Sequence, residues 1–490
     1  MMIVCSAENV KKIENTANGL GMSYFSMMEN AGKSVAEEIL KRKEVKGKNV
    51  LVLCGGGNNG GDGFVVATLL EEKGAFCKVI AFSEPQSEAA KLAKKLYIGD
   101  YADKTTENIY EADIIVDALF GTGLKREIEG EYADIIKAVN NSKAYKVSVD
   151  IPSGLFADSG EESLCIKADL TVTFITYKTC HLMFPARSFC GEVVLSSIGI
   201  EPSAFEGIDI IGRVIEPPTF SKRQSNTHKG TYGTASLIVG SFGMAGAAIL
   251  SLKGCIRSGV GIAKATVLKD IYPMVTVSAP EAVCNVYSDT DDIKTVCETA
   301  MNCDALLIGC GLSKGKRQRE MLSYIIKSYD KKLIIDADGI NMLADDIECI
   351  KQSAADIVLT PHPAEMARLC KKTTEEINEN RVFYAKKIAG ELSCTVVLKG
   401  AVTIVSDKCG NIYFNVTGNP SMAKGGSGDV LAGIIVSLAA QGQSTLEASV
   451  NGVYIHGLAG DISRDKKGEI SALPTDLIDS LPEVFKKLGE

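Results

Sequence analysis

A glycine-rich stretch near the C-terminus holds a carboxylate beside a potential phosphate site. Residues 418–433 read GNPSMAKGGSGDVLAG, and an apolar helical pattern follows directly after the glycines. Because Gly425, Gly426 and Gly428 lack side chains, backbone N–H groups can converge there, where the helix dipole favours a phosphate. Asp429 lies at the edge of that site and could act as a base toward a hydroxyl that attacks phosphorus. It could equally be an ordinary helix-capping aspartate, and the motif alone leaves both interpretations open.

Three loops in the first half of the chain, 55–63, 120–123 and 150–154, follow predicted strands. The carboxyl ends of parallel strands meet at one edge of a sheet, so we expect these loops to form one site. The first loop, GGGNNGGDG, satisfies a GxGxxG pattern, with Glu84 at a suitable distance for a ribose contact. A dehydrogenase-type dinucleotide site is therefore an open alternative.

The polar residues of these loops offer a second kind of chemistry. Asn59, Asp117 and Ser153 could supply oxygen ligands to a hard cation, although Asn and Asp also suit tight turns. Asp150 ends a predicted buried strand shortly before a rigid proline, which makes it the candidate catalytic carboxylate of this half. Three such loops at neighbouring strand ends favour a site over three unrelated turns.

Short strands alternate with helices in both halves, which predicts an α/β protein with a mostly parallel sheet in each. A polar, proline-bearing segment at 211–227 interrupts the alternation. We therefore predict a first domain at 1–213, a linker at 214–225 and a second domain at 226–490. The predicted strands are 50–54, 77–82, 113–119, 146–150 and 170–174 in the first half, and 236–239, 262–268, 305–309, 333–336, 357–360 and 395–399 in the second. The predicted helices that bear on the site are 24–40, 64–72 and the one that follows the C-terminal glycines.

Strand ends of the second half also carry unusual residues. Asp336 and Asp338 follow one strand, and a glycine turn at 309–311 follows another. His362 lies between two prolines, so we expect it in an extended loop in contact with a ligand. Lys399 at a further strand end could meet a nucleotide phosphate or be a solvated lysine.

The composition excludes several classes of function. The 490 residues are 46% hydrophobic and carry a net charge of −8, which argues against general binding to nucleic acid or acidic membranes. The 15 cysteines form no CxxC pair and the four histidines form no HExxH, so neither a zinc site nor a disulfide framework is predicted. No apolar leader is visible and the longest apolar run, 430–440, is too short to span a bilayer. A cytoplasmic protein is expected.

The motifs together resemble one family, the bifunctional NAD(P)H-hydrate repair enzymes. The first half is similar to NAD(P)H-hydrate epimerases through GGGNNGGDG, DALFGTGL and VDIPSG. The second half is similar to nucleotide-dependent NAD(P)H-hydrate dehydratases through HKGTYG, IGCGL, DADGIN, TPHPAEMARL, LKGAVT and GNPSMAKGGSGDVLAG. The departures are Cys310, where proline is usual, and Gly339, where alanine is usual. The resemblance implies a Rossmann-like first domain and a ribokinase-like second domain.

The resemblance also implies roles for individual residues. A potassium ion would be held by Asn59, Asp117 and Ser153, and Asp150 would contact the reacting ring. The hydrated nucleotide in the first domain would be bound by Asn58, Asn59, Gly60, Gly61, Asp62, Gly121, Thr122, Gly123, Leu124, Lys125, Arg126, Glu127 and Asp150. In the second domain the hydrate would be bound by Gly246, Gly311, His362 and the base Asp429. The adenine nucleotide would be bound by Lys399, Gly400, Ala401, Val402, Thr403, Asn419, Lys424, Gly425, Gly426 and Gly428.

The activity implied is repair of hydrated nicotinamide nucleotides. The first domain would interconvert the two epimers of NADHX and NADPHX, and the second would dehydrate one epimer at the expense of ADP or ATP. ADP is expected because fused members of the family mostly use it, together with Mg²⁺ and self-association into a homo-oligomer. The alternatives are a ribokinase-like small-molecule kinase fused to a nucleotide-binding domain, and a non-catalytic nucleotide sensor.

Overall fold

A computed structural model describes residues 2–220 and 222–489 of the protein. The chain divides into two compact units, Met1–Arg213 and Val214–Glu490. The predicted linker at 214–225 contains Ser221, which lies outside the described residues. The predicted α/β class, with a largely parallel sheet in each half, is confirmed. No helix in the described part of the chain is long and apolar enough to cross a bilayer.

The first unit contains a seven-stranded parallel sheet in the order β4-β3-β2-β5-β6-β7-β8, and β1 pairs antiparallel with β9. Its strands are β1 Ile3–Val4, β2 Asn49–Cys54, β3 Phe76–Ala81, β4 Asp100–Tyr101, β5 Ile114–Ala118, β6 Tyr145–Val149, β7 Leu170–Phe174, β8 Glu192–Ser196 and β9 Gly212–Val214. Its helices are α1 Ala7–Gly19, α2 Tyr24–Arg42, α3 Asn58–Glu72, α4 Glu88–Leu96, α5 Thr106–Glu111 and α6 Gly130–Asn141.

Both faces of this sheet are covered, which explains why its strands read as continuous apolar runs. Alternate residues of β2 enter different clusters: Val50 and Val52 pack on the side of α2 and α3, whereas Leu51 and Leu53 pack on the side of α6. The methionines of α2, Met27 and Met28, are buried in the first of these clusters. They therefore contribute to the core of their own unit.

The helix predicted at 64–72 begins six residues earlier than expected. The Asn and Gly residues of the first loop form the opening turn of α3 instead of an irregular turn. A Cβ at Gly60 would overlap the carbonyl oxygen of Gly55, and one at Gly63 would lie 2.8 Å from Ala118. The glycines let α3 start directly against β2 and β5, a close approach that periodicity does not reveal.

The second unit contains a sheet in the order β12-β11-β10-β13-β14-β15-β16-β17-β18, parallel from β12 to β16 and antiparallel beyond. Its strands are β10 Thr234–Ile238, β11 Ile262–Leu268, β12 Val283–Tyr287, β13 Ala305–Ile308, β14 Lys332–Ile335, β15 Asp356–Leu359, β16 Thr395–Leu398, β17 Thr403–Ser406 and β18 Ile412–Asn415. Its helices are α7 Ala245–Arg257, α8 Tyr272–Ser278, α9 Ile293–Met301, α10 Lys316–Ser328, α11 Asp338–Leu343, α12 Pro363–Cys370, α13 Thr374–Glu379, α14 Arg381–Leu392, α15 Ser427–Ala440, α16 Thr445–Lys467 and α17 Pro474–Lys487. Strands β12, β17 and β18 were not predicted.

Each parallel sheet reverses its strand order once. The reversal lies between β2 and β5 in the first unit and between β10 and β13 in the second. In open α/β sheets ligands bind beyond the carboxyl ends of the strands at such a reversal. The segments that follow these four strands are therefore the places to look for a site.

Helices α7 and α15 of the second unit pack through small residues. A Cβ at Gly433 would overlap the carbonyl oxygen of Ser251, and one at Gly254 would lie 2.8 Å from the carbonyl oxygen of Val430. Backbone therefore meets backbone along this contact, which brings the N-terminal turns of both helices to the same edge of the sheet.

We predict that Gly433→Ala destabilises the second unit by about 1–3 kcal/mol, because the added methyl group forces two packed backbones apart. The measurement is the midpoint of denaturant-induced unfolding of the purified protein. Gly390→Ala in α14 is the matched control, since nothing lies within 4 Å of a Cβ there. That variant should be neutral or slightly stabilising, and equal midpoints for the two variants would contradict the packing argument.

Candidate active sites

The site of the first unit contains a fully buried carboxylate at the end of β5. Asp117 Oδ1 accepts a hydrogen bond from Ser153 Oγ at 2.5 Å, and Oδ2 accepts from Ser148 Oγ and the Ser153 backbone N–H, both at 2.8 Å. The hydroxyl of Ser153 in turn accepts from the backbone N–H of Phe120 at 2.9 Å. These contacts join the loops after β5 and β6, two of the three loops that the sequence singled out.

The third loop is connected through Asn59 in the first turn of α3. A Cβ at Gly121 would lie 3.2 Å from Asn59 Oδ1, so the amide faces the loop that follows β5. Asn59 Nδ2 is buried without a hydrogen-bond partner. The unpaired N–H₂ group needs an acceptor, which a bound substrate can supply, whereas the amide oxygen, the Asp117 carboxylate and the Ser153 hydroxyl are the kinds of oxygen that a hard cation prefers.

Asp150 follows β6 with a left-handed backbone, φ 66°. Its Oδ1 lies 2.6 Å from Lys178 Nζ and accepts a hydrogen bond from Thr173 Oγ1 at 2.9 Å. His181 Nε2 lies 3.0 Å from the Asp150 carbonyl oxygen. Burial raises the pKa of the Asp150 carboxyl, but the Lys178 ammonium more than offsets this and leaves the pKa below its usual value. Asp150 is therefore an ionised carboxylate.

Asp62, also on α3, is buried like Asp150 but has the opposite environment. No hydrogen bond or ion pair of its side chain is found among the described residues. Burial, together with the negative charges of Asp150 and Glu14, holds the pKa of Asp62 well above its usual value. Burial likewise raises the pKa of Glu14 on α1.

The other predicted residues of the first site lie at its rim. Asn58 is exposed and accepts a hydrogen bond from Ser87 Oγ at 2.6 Å. The segment 122–127 follows β5 as a turn whose charged residues are exposed. Glu84, the acid that a dehydrogenase-type site requires, is exposed and paired with Lys94 at 2.7 Å.

The site of the second unit is centred on Asp336, which follows β14 and is 1% exposed. Its Oδ1 lies 2.6 Å from Lys399 Nζ and accepts a hydrogen bond from Thr360 Oγ1 at 2.7 Å. Lys399 Nζ is also 3.9 Å from Glu365 Oε2. Lys399 is thus a largely buried ion-pair partner and not a solvated lysine.

Cys310 and Asp429 complete this group. Ligand atoms of Cys310, Asp336 and Asp429 lie within 4.8 Å of one another, and Cys310 Sγ is 3.5 Å from Asp336 Oδ2. Burial and the nearby charge of Asp336 raise the pKa of Asp429 to about 7. Burial likewise raises the pKa of Glu365 to about 7. Three carboxyls thus share one lysine, so protons or a cation must balance the remaining charge.

Asp429 is the third residue of α15, and the capping position belongs to Gly426, with φ 102°. No side-chain capping bond forms at this helix terminus. The capping interpretation of Asp429 is therefore wrong. The glycine loop also approaches the lysine, since a Cβ at Gly428 would lie 3.5 Å from Lys399 Nζ.

The two segments predicted to bind the nucleotide, 399–403 and 419–428, are fixed by hydrogen bonds to residues that lie outside the site. Arg381 Nη2 donates to the carbonyl oxygens of Leu398, Lys399 and Val402 at 3.1–3.2 Å, which fixes the turn at 399–403. Asn419 donates to Asp461 at 2.8 Å, and Lys424 Nζ is directed to the carbonyl oxygens of Ile470 and Ala472.

The predicted hydrate-binding residues differ in exposure. Gly246 is exposed in the first turn of α7, whereas Gly311 is buried beside Met244. His362 is half-exposed and caps α12, because its Nδ1 accepts from the backbone N–H groups of Ala364 and Glu365. Its extended backbone agrees with the prediction, and its ring has a structural partner as well.

Sequence reasoning missed four residues that the structure brings into the sites. Asp336, Glu365 and Cys310 lie inside motifs but were given no role, and Lys178 was not singled out. A lysine closely following the apolar strand β7 was the available signal. Cys310 departs from the usual proline, so its thiol adds a side chain at the centre of the site.

The comparisons with known proteins cover both units. The profile of the family described as NAD(P)H-hydrate dehydratase matches residues 235–483, and that of the YjeF-related protein N-terminus matches residues 25–180. The bifunctional NAD(P)H-hydrate repair enzyme Nnr of Thermofilum pendens is 35% identical over 100% of this chain and 97% of its own length. The chain belongs to this family. The resemblance stated from the motifs is thereby confirmed.

Further members of the bifunctional NAD(P)H-hydrate repair family are similarly close. The enzyme of Escherichia coli is 33% identical over 98% of this chain and 94% of its own length. A solved structure of an ADP/ATP-dependent NAD(P)H-hydrate dehydratase from Bacillus subtilis, co-crystallised with ATP and Mg²⁺, is 31% identical. It covers 55% of this chain and 95% of its own, with a TM-score of 0.49.

We predict that Asp429→Asn stabilises the protein more at pH 8 than at pH 5. Burial raises the pKa of Asp429 from its usual value to about 7, so the native state keeps a proton that the unfolded chain loses near pH 4. The stability contributed by this carboxyl is therefore lost as pH rises through 7. The difference in unfolding free energy between variant and wild type should grow by about 1–3 kcal/mol over this range. Denaturant titrations at both pH values measure it, and a constant difference would contradict it.

Proposed function

We propose that this chain repairs hydrated nicotinamide nucleotides with two active sites, an epimerase site in the first unit and a nucleotide-dependent dehydratase site in the second. The observation that carries the proposal is the pair of carboxylate-centred sites, each beyond the carboxyl ends of the parallel strands of its own sheet. Family membership supplies the substrates, NADHX and NADPHX. A cytoplasmic location and self-association accompany the proposal as predictions.

In the dehydratase site, Asp429 takes the proton of the hydrate's hydroxyl group. A carboxyl whose pKa is about 7 is suited to this task, because much of it is ionised at neutral pH and it still binds a proton well. The hydroxyl oxygen then takes the terminal phosphoryl group of the nucleotide, which the glycine loop before α15 and the turn at 399–403 hold. Phosphate leaves with the electrons of the C–O bond, the neighbouring ring carbon loses a proton to solvent, and the double bond of the dihydronicotinamide is restored.

The carboxyl groups around Lys399 outnumber the positive charges, so the site can accept the metal ion that accompanies the nucleotide. Asp336 and Asp429 supply carboxylate oxygens of the kind that Mg²⁺ prefers. A Mg²⁺ bound with ADP or ATP would neutralise phosphate charge during transfer. ADP remains the preferred co-substrate in the proposal, with ATP as the alternative.

In the epimerase site, Asn59, Asp117 and Ser153 would hold a potassium ion. Its positive charge would position and polarise the substrate's hydroxyl group. The amide oxygen of Asn59 beside Gly121, together with the Asp117 carboxylate and the Ser153 hydroxyl bonded to it, supports this assignment. Asp150, ionised beside Lys178, contacts the reacting ring.

An absorbance assay tests the overall proposal. A mixture of the two NADHX epimers is incubated with the protein and ADP, ATP or neither, while dihydronicotinamide absorbance and phosphate release are followed. Complete recovery of NADH with one phosphate per molecule is expected. A stable phosphorylated product would instead indicate the small-molecule kinase, and binding without turnover would indicate the sensor.

We predict that Asp429→Asn lowers the dehydration rate by roughly 10²–10⁴-fold, the usual worth of positioned proton transfer. Nucleotide affinity should hold or improve, since a negative charge beside the phosphates is removed, and epimerisation should be unchanged. Dehydration rate, nucleotide affinity and epimerisation are measured on the purified variant. Asp292→Asn is the control, because Asp292 is a true helix cap that accepts from Thr295. Near-normal dehydration in Asp429→Asn would remove the base from the scheme.

A separate prediction concerns Asp150→Asn, which should slow epimerisation strongly and leave dehydration of the directly used epimer near the wild-type rate. The control is Asp169→Asn, because Asp169 binds the backbone of Lys146 at the opposite end of the sheet. Epimer interconversion is measured by chromatography in the absence of ADP and ATP, because dehydration does not proceed without a nucleotide. An unchanged rate in Asp150→Asn would show that this carboxylate is not needed.

A further inference from the structure

Besides Asp117, the epimerase site holds three further carboxyl groups, and among the described residues one buried cation lies beside them. Asp62, Asp150 and Glu14 influence one another electrostatically, and Lys178 is the positive charge beside them. The neighbouring imidazole of His181 does not supply a second charge, because burial lowers its pKa to about 3. One carboxylate can therefore be neutralised by an ion pair, and the others are stabilised by protons.

The lysine is committed to one of the three. Lys178 is 1% exposed, and its ammonium has three N–H donors. They bind Asp150 Oδ1 at 2.6 Å, Thr173 Oγ1 at 2.8 Å and the Phe174 carbonyl oxygen at 3.0 Å. No donor is left for a substrate, so Lys178 can act on the reaction only through Asp150.

These contacts also orient the aspartate. Both the lysine and Thr173 bind Oδ1, and no hydrogen bond to Oδ2 is found among the described residues. The side chain of Asp150 keeps 12% of its surface exposed. One oxygen is thus anchored while the other remains free to contact a substrate.

We propose that Asp62 and Asp150 act as an acid and base pair in epimerisation, and that Lys178 is the positioning residue that decides which carboxyl carries the proton. This inference rests on the epimerase function proposed above. It adds a catalytic acid, Asp62, and a positioning residue, Lys178, to the single carboxylate considered so far.

The chemistry follows from the substrate. Hydration of an enamine double bond places the hydroxyl group on the carbon bonded to nitrogen, so the nitrogen lone pair can expel it. Asp62 gives its proton to the departing oxygen, the C–O bond breaks with its electrons on oxygen, and water and an iminium ion result. Water then adds to the other face of the same carbon and gives a proton to Asp150. Return of that proton to Asp62 through solvent restores the starting state.

The environments of the two carboxyls agree with these roles. Burial and the charges of Asp150 and Glu14 hold the pKa of Asp62 well above its usual value, whereas Lys178 leaves that of Asp150 below its usual value despite burial. Cys54 on β2 is the remaining titratable neighbour of Asp62, and burial raises the pKa of its thiol, so it stays neutral. Pairs of groups whose pKa values are pushed apart mark acid and base assignments.

The test is the pH profile of epimerisation by the full chain, measured from about pH 3 to 9 so that the range includes the lowered pKa of Asp150, on one NADHX epimer without nucleotide and corrected for the uncatalysed rate. The epimerisation rate of the wild type should be a bell-shaped function of pH, with an acidic limb from Asp150 and a basic limb from Asp62. Lys178→Met should move the acidic limb to higher pH and lower the rate at pH 6 about tenfold or more. Asp62→Asn should lower the rate by roughly 10²–10⁴-fold and remove the basic limb.

A second test variant, a control variant and a check of folding complete the experiment. Thr173→Val should shift the acidic limb in the same direction by a smaller amount, which covers the case that Lys178→Met fails to fold. Lys146→Met is the control, because the contacts of its ammonium within the described part of the chain are the carbonyl oxygens of Ser142 and Ala144, away from the site. The thermal unfolding profile of each variant reports whether the first unit is folded, since dehydration would report the second unit alone.

The inference and the proposed function fail in different ways. Wild type that does not epimerise overturns the proposed function itself. Wild type that epimerises, with an unshifted acidic limb in both Lys178→Met and Thr173→Val, overturns the positioning role. A basic limb retained in Asp62→Asn overturns the acid.

Discussion

A buried lysine paired with an aspartate at 2.6 Å lies at the centre of each unit: Lys178 with Asp150 in the first, Lys399 with Asp336 in the second. Burying two charges costs more than their attraction returns unless further hydrogen bonds satisfy both groups. A threonine supplies one such bond in each case, Thr173 beside Asp150 and Thr360 beside Asp336. Removing either partner would leave a buried charge unpaired, so the loops around each site are constrained by its ion pair.

Each ion pair also determines the state of its neighbours. Because the lysine pairs with one carboxylate, a second carboxyl nearby is buried and repelled by the first without a positive charge of its own. Asp62 and Asp429 occupy that second position, and the pKa of both is raised. The parallel strands of the two sheets follow the same order, and both units reach the same electrostatic arrangement, a fixed carboxylate beside a proton-holding one.

Many strands, the loops that follow them and one catalytic candidate could be predicted from the sequence, because turn residues and apolar periodicity are local signals. The strands that were predicted lie within a residue or two of their observed bounds, although the parallel strands β4, β8 and β12 were missed, and Asp429 was identified from its glycines. The partners were not, since an ion pair between Lys399 and Asp336 spans 63 positions. The early start of α3 was missed because it depends on how closely Gly60 and Gly63 approach neighbouring backbone. Cys310 was noted only as a departure, since its nearness to Asp429 is a property of the folded sheet.

The contact between α7 and α15 bears on how this second site could change over evolutionary time. Where Gly433 meets Ser251 there are no side chains whose rotamers could adjust, so the spacing of the two helices is set by backbone alone. Adaptation to a larger or smaller co-substrate would have to come from the exposed loop at 242–246 and the turns at 399–403 and 418–426. Lineages of this family that changed nucleotide preference should therefore differ in those loops while keeping small residues along the helix pair.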